Sequence, residues 1–332
     1  MKRYVPFLLF FVALTQIQGQ DLHFTQFYSN PMFLNSANAG NFNGDYRVGL
    51  NAKSQWASVA DAYRTVALHG DFSIVPDGAS SKNWIGIGAT LFVDSEGGGV
   101  LQTIEAKGHI AFHKHISNNF YLSLGGGFGY TNKSLDFAKI TFGSQWNGTE
   151  FNGAIPSMEN FETNQIGYLD VSSGVSFSYF LDKTLRVNWG FAVHHINEPT
   201  ESFFFIDNTR ESNRREVRPV AHVDAEIFLD YISIMPAAYY TRTKGAQELI
   251  LGSNVSYDLD NAAVIGGLWY RQTGTAALLA GVQINSNRVL VSYDFDIGAV
   301  RDLSDFRNGF EVSFIRVGGI RKSKSRLYCP RF

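Results

Sequence analysis

Leu169-Asp170-Val171-Ser172-Ser173-Gly174-Val175-Ser176-Phe177-Ser178-Tyr179-Phe180-Leu181 separates into two lists when alternate residues are read. Leu169, Val171, Val175, Phe177, Tyr179 and Leu181 form one, interrupted only by Ser173, while Asp170, Ser172, Gly174, Ser176 and Ser178 form the other. Successive side chains on a strand point to opposite faces, so this segment is a ribbon with one apolar and one polar side. The pattern recurs along nearly the whole chain. Residues facing lipid and lumen in turn are the sequence mark of a transmembrane antiparallel β-barrel.

Alternation, turn residues and aromatic or β-branched content predict strands at 45–53, 62–75, 83–94, 99–114, 118–133, 166–181, 184–196, 218–229, 231–242, 247–258, 261–271, 275–285, 288–296 and 308–316. That makes about 14, an even number, as a closed bacterial barrel with both termini on one side requires. The connections sort by parity. Those after even-numbered strands are short, and the long ones (Asn132–Gln165, Asn197–Val217 and Ile297–Arg307) all follow odd-numbered strands. Outer-membrane barrels have short periplasmic turns and longer outer loops, whereas a soluble sandwich has no reason to obey that rule.

The start of the chain reads as a secretory signal, residues 1–19: Lys2 and Arg3, an apolar run from Val5 to Leu14, and a small-residue exit at Gln18-Gly19. The run is too short to cross a bilayer as a helix. Charged residues are 17 % of the chain, below the roughly 25 % of an ordinary soluble domain. A net charge of −2 and the lack of a basic stripe before the C-terminus argue against nucleic acid. Cys329 is the single cysteine, so no internal disulfide can form.

Charge fixes which side is inward, because an Arg or Lys against mid-depth lipid costs roughly 2–4 kcal/mol. His69, Asp71, Glu105, Lys107, His109, Asp170, Arg186, Asp224, Glu226 and Asp294 collect on one parity and are assigned to the lumen, while Val66, Leu68, Phe72, Leu124, Phe128 and Tyr130 take the other. Gly125, Gly127 and Gly129 alternate on the inward face, which points to close approach by something filling the lumen.

No catalytic chemistry emerges. His109, His113 and His115 share a parity but lack Asp or Cys at ligand spacing, and read as lumen or rim rather than metal. His194 and His195 are expected on opposite faces of a strand. The glycine-rich stretch Gly125–Gly129 opens no helix, and no serine sits in a nucleophile elbow. Asp224 and Glu226 on one polar strand face are ordinary solvated carboxylates. The expectation is a non-enzyme with no cofactor and no metal.

The segment from Gln20 to Gly40, with Phe24-Thr25-Gln26-Phe27, Asn30-Pro31 and Asn35-Ser36-Ala37-Asn38-Ala39-Gly40, resembles the opening of the PorP/SprF family of type IX secretion system outer-membrane proteins. The family pattern is roughly Gln-Asp-x-x-Phe-Ser-Gln-Tyr, then Pro, then Asn-Pro-Ala-x-Ala-Gly. Ser36 stands where proline is usual, and Thr25 and Phe27 are mild variants. Tyr46-Arg47, Gln55-Trp56, Ser292-Tyr293-Asp294, Gly309-Phe310-Glu311-Val312-Ser313 and the terminal Cys329-Pro330-Arg331-Phe332 also match. The resemblance implies an outer-membrane barrel of the secretion and gliding machinery. Its partner would be a large secreted, adhesin-like protein with a type B C-terminal sorting domain, and periplasmic peptidoglycan-bound secretion components are possible further partners.

The resulting layout is a signal at 1–19, a lead-in or lumen plug at 20–44 bent at Pro31 and Gly40, a barrel at 45–316, and a basic periplasmic tail at 317–332. The N-terminal motif residues singled out are Pro31, Asn35, Ala39 and Gly40. A plug would resemble the hatch of fatty-acid-transporter-like barrels, an analogy of fold alone. Two function classes stay open. In one, the outer loops hold the partner through Phe142, Trp146 and Phe151 of one loop and Phe203, Phe204 and Phe205 of another, unless these aromatics form a lid. In the other, the lumen passes a small hydrophobic or polar solute.

Overall fold

The computed structural model describes residues 24–56, 62–75, 82–158, 163–181, 184–203, 214–243, 245–259, 261–298 and 307–319. Fourteen strands form one closed antiparallel barrel in which each pairs with its sequence neighbours and the first pairs with the last. They are β1 (Tyr46–Gln55), β2 (Tyr63–Ile74), β3 (Trp84–Glu96), β4 (Leu101–Ser117), β5 (Phe120–Leu135), β6 (Gln165–Leu181) and β7 (Leu185–His194), followed by β8 (Arg218–Leu229), β9 (Ile232–Thr243), β10 (Ala246–Leu259), β11 (Ala262–Arg271), β12 (Thr275–Ile284), β13 (Asn287–Asp296) and β14 (Arg307–Gly318). All fourteen sequence-predicted strands are present. The β1–β14 ladder, from Tyr46 against Gly318 to Gln55 against Gly309, removes the last open edge.

Closure satisfies the backbone within the wall, which is what lets strands cross hydrocarbon. The two faces then separate. Outward positions such as Phe72, Ile110, Leu124, Phe128, Phe191 and Leu268 are exposed, forming the apolar band expected against lipid. Inward neighbours such as Asp71, Ser123, Asp170 and Ser176 are buried.

Their burial has a second cause. Residues 24–45 lie inside the barrel as a chain of short turns around one helical turn, α1 (Pro31–Leu34). Pro31 suits the first position of α1, where no N–H partner is needed.

Boundaries agree to within three residues, and two of the differences have a visible cause. β7 stops at His194, because His195 takes a left-handed conformation (φ 59°) that turns the chain. His194 and His195 are therefore not on opposite faces: both are buried, His194 bonding the Leu34 carbonyl and His195 the Asp170 carboxylate. β14 runs on through Val317 and Gly318, where Val317 N–H reaches the Ser286 carbonyl.

Leu124 is 54 % exposed on the lipid face. Leu124→Arg is expected to destabilise the barrel by about 2–4 kcal/mol, read as a lower unfolding midpoint in vesicles. Leu124→Ile should leave that midpoint nearly unchanged.

Candidate functional site: a plugged lumen and its long-loop mouth

The plug is fastened at three levels. Nearest the short-turn end, Arg47 and Asp71 form a two-pronged pair (Nε to Oδ1 2.9 Å, Nη2 to Oδ2 2.7 Å) with both side chains 1 % exposed or less. The plug backbone uses their spare valences, since Gly40 N–H donates to Asp71 Oδ2 (2.8 Å) and Arg47 Nη2 to the Asn38 carbonyl (3.2 Å). Trp84 Nε1–H donates to the Gly40 carbonyl (2.9 Å), and the His113 ring bridges the Ala39 carbonyl and Ser123, each at 2.7 Å. Gly40 turns with φ 70°, and a Cβ on Gly86 would overlap the Ala39 carbonyl, so this crossing needs glycine on both sides.

At mid-depth Asn35 Nδ2 donates to the Val175 carbonyl (2.9 Å) and meets His222 Nε2 (3.2 Å), while its Oδ1 accepts from Ala37 N–H. The Ser36 hydroxyl sits between Ser172 Oγ (3.1 Å) and His109 Nδ1 (3.0 Å), and Thr90 meets the other ring nitrogen of His109 (3.1 Å). A Cβ on Gly125 would lie 2.5 Å from Ala37 Cα. Gly125 and Gly127 of β5 thus mark where the plug touches the wall, whereas a Cβ on Gly129 would meet Ala106 and Lys107 of the neighbouring strand β4 and not the plug.

Towards the long-loop end, Glu311 accepts from the N–H groups of Thr25 (2.9 Å) and Gln26 (3.1 Å), and Thr25 Oγ1 donates to Asp294 (2.6 Å). Arg271 joins Thr25, Glu248 and Asp294, and Lys53 stands 3.6 Å from Asp294. Opposite these charges the plug is apolar. Phe27 stacks on Tyr239 and meets Trp269 edge-on, both at 5.5 Å between centroids, within a cluster that includes Leu34, Ile250, Leu279 and Leu290.

The long-loop mouth is partly roofed. Glu201, after β7, pairs with Lys133 of β5 and accepts from Tyr168 Oη (3.1 Å), which in turn accepts from Arg215 (2.7 Å). Burial works to raise the Glu201 carboxyl, but Lys133 and Arg215 outweigh it and hold it below the usual carboxylate range. The β5–β6 loop carries its own fold. Gln145 donates to the Ile155 carbonyl, Asn147 accepts from Thr149 and Glu150, and Trp146 bridges to Phe151. That bridge holds the two rings 5.0 Å apart and leaves them 49 % and 53 % exposed.

Of the sequence-predicted site residues, Asp71, His109 and Asp294 touch the plug directly. His69 is buried against Gly49. Lys107 joins Asp170 (2.8 Å) and Glu105 (3.2 Å), Arg186 joins Glu226 (3.1 Å), and Asp224 accepts from Asn188 (2.8 Å). Phe142 and Phe203 are half-buried, and Phe204 and Phe205 lie outside the described residues. So do residues 1–19, Cys329 and most of 317–332. The sequence reading missed Arg47, Lys53, Arg271 and Glu311 as lumen groups, although each is a charge at inward parity.

The sequence profile of the type IX secretion system membrane protein PorP/SprF matches residues 16–315. The chain belongs to the PorP/SprF family. No curated protein sequence matches it as a relative. Among solved structures it is similar to the CymD monoaromatic hydrocarbon channel, with 11 % identity, a TM-score of 0.51, and coverage of 88 % of this chain and 93 % of that one. The Pseudomonas putida toluene transporter TodX aligns at 8 % identity and a TM-score of 0.49 over 86 % and 93 %. At such identities CymD shows the fold alone, an outer-membrane barrel. Of the motif residues in the opening segment, Asn35, Ala39 and Gly40 are fastened to the wall by backbone or amide groups, while the Pro31 carbonyl accepts from Asn35 and Asn38 within the plug. Ser36, in place of the usual proline, adds a hydroxyl between Ser172 and His109.

Gly125→Leu should drive the plug off the wall, raising single-channel conductance in planar bilayers and opening residues 24–45 to protease. Gly126→Leu is the control, because a Cβ there meets nothing closer than the Ser172 carbonyl oxygen at 3.9 Å. Equal conductance in both variants would mean that residues 24–45 do not block the pore.

Proposed function

We propose that this barrel holds a large secreted, adhesin-like protein with a type B C-terminal sorting domain at the cell surface, supporting its export or anchoring without catalysis. The observation that carries the reading is the filled lumen. Residues 24–45 are bonded to the wall at every level, so the barrel is closed to bulk flow and its working surface is its mouth. The long-loop end, outermost by the loop-length rule, presents Trp146 and Phe151 as an adjacent exposed pair, and aromatic side chains are enriched at binding interfaces. Residues 1–19 act as the export signal, and the short-turn end with the basic tail faces the periplasm, where peptidoglycan-bound secretion components are accessible.

A second reading, passage of a small solute, is favoured by a cavity of about 50 Å³ beside the plug, lined by Tyr28, Arg186, Asp224, Met235, Trp269 and Arg288 among others. It ranks second because Arg186, Glu226 and Arg288 of the lining stand beside short turns, which places the cavity away from the long-loop mouth.

Trp146→Ala combined with Phe151→Ala should release the secreted partner into the medium while the barrel still assembles. Unchanged surface display, together with solute uptake that depends on this protein, would favour the second reading. Sidedness is tested separately in a Cys329→Ser background. Thr149→Cys should react with an impermeant thiol reagent on intact cells, and Asn118→Cys only after the outer membrane is opened.

A further inference from the structure

The wall is closed all round but not evenly hydrogen-bonded. β8 and β9 pair from Val220 against Thr241 to Asp224 against Ala237, then again from Ile227 against Ile234 to Leu229 against Ile232. Ala225 and Glu226 face Pro236 and Met235 across the interval without bridging. The register resumes unshifted, so this is no bulge. Among the described residues it is the one ladder interrupted in that way, the interruptions at β4–β5 and β13–β14 being register shifts.

The cause lies in the sequence: Pro236 has no N–H to offer. Each strand stays held on its other side, where Glu226 faces Arg186 of β7 and Pro236 faces Ser253 of β10. The inside–outside contrast also fades here. Asp224 to Phe228 and Ile234 to Ala238 are all half-buried, where most of the wall alternates. The outward side chains at the interval are small, Ala225 and Pro236, with Ala238 next to them.

Directly behind this seam lies the cavity of about 50 Å³. Its lining includes Met235 and Ala237 from the inward face and also Ala225 and Pro236, whose side chains point outward, so it lies directly against the wall at the interval. Trp269 and Tyr28, stacked at 5.1 Å, form its inner side next to Met235 and Ala237, while Arg186, Asp224, Glu226 and Arg288 line its polar part. Such a volume takes about three or four waters, or a comparably short run of methylenes. What stands against the seam from outside is the hydrocarbon that the apolar band faces.

We propose that the β8–β9 seam is a lateral port through which the end of one hydrocarbon chain enters the wall and lodges against Met235 and Trp269. The chain end could belong to a bilayer phospholipid or to a free fatty acid. The two share the same chemistry at the site. This port is independent of which secreted protein the mouth holds.

The test uses the full-length barrel in phosphatidylethanolamine vesicles with two photoreactive probes, each carrying a diazirine at the chain end: a phosphatidylcholine and a free palmitate. After irradiation, adducts are mapped by peptide mass spectrometry. Adducts on Met235 or Trp269 are expected, together with surface adducts on Val223. Inward labelling by the phosphatidylcholine identifies a bilayer lipid as the source, and inward labelling by palmitate alone identifies a free amphiphile. Ala225→Phe should lower the inward adducts several-fold and leave Val223 labelled. Ala221→Phe, on the same outward face where the ladder is intact, should change neither and controls for assembly. Labelling confined to Val223 with both probes, or inward labelling unaffected by Ala225→Phe in an assembled barrel, would overturn the port.

Discussion

The constraint on which the rest depends is that hydrocarbon offers no hydrogen-bond partners. A strand can cross it only if its neighbours take every N–H and C=O, and a sheet can do so only by closing on itself. Fourteen strands meet that demand through the β1–β14 ladder, apart from the β8–β9 interval at Pro236. Closure then creates an interior, and much of this one is apolar on the β8–β13 side, where Tyr239, Ile250, Trp269 and Leu290 point inward. A water-filled lumen would leave them wet. Phe27 and Leu34 of the plug cover them instead, each worth about 1.5–3 kcal/mol when fully buried.

The outline of the wall was open to reading because lipid punishes charge on one face of every strand, leaving a period of two over strand after strand. Loop parity was readable for a related reason, since the two sides of the membrane tolerate different connections. What the sequence could not place was the path of residues 24–45. That segment has no period, and its order comes from single bonds to distant residues: Asn35 to Val175, Gly40 to Asp71, Gln26 to Glu311. Only Gly125 and Gly127 hinted at it, since a wall residue with no Cβ implies something close by. His195 failed the alternation rule because a positive φ at a strand end breaks the geometry on which the rule rests.

Lumen charges were legible as a set but not as pairs. Parity says that Asp71, Lys107 and Asp170 point inward, and only the register brings Arg47 opposite Asp71 and sets Lys107 within reach of Asp170. The short mouth network of Lys133, Tyr168, Glu201 and Arg215 was invisible for the same reason, joining two strands and a loop far apart in sequence.

The plug's fixings indicate whether it belongs to the fold or acts as a loose gate. Glu311 is buried, and two of its acceptor positions are filled by the plug's Thr25 and Gln26 N–H groups. Asp71 likewise splits its oxygens between Arg47 and Gly40 N–H. Withdrawing the plug without admitting water would strip N–H donors from two buried carboxylates, and a buried acceptor left unsatisfied costs about 1–3 kcal/mol. Admitting water would instead wet the apolar half around Trp269. Either route opposes spontaneous departure. The plug is therefore an interior wall of the barrel, and its movement would require a partner that replaces both sets of contacts at once.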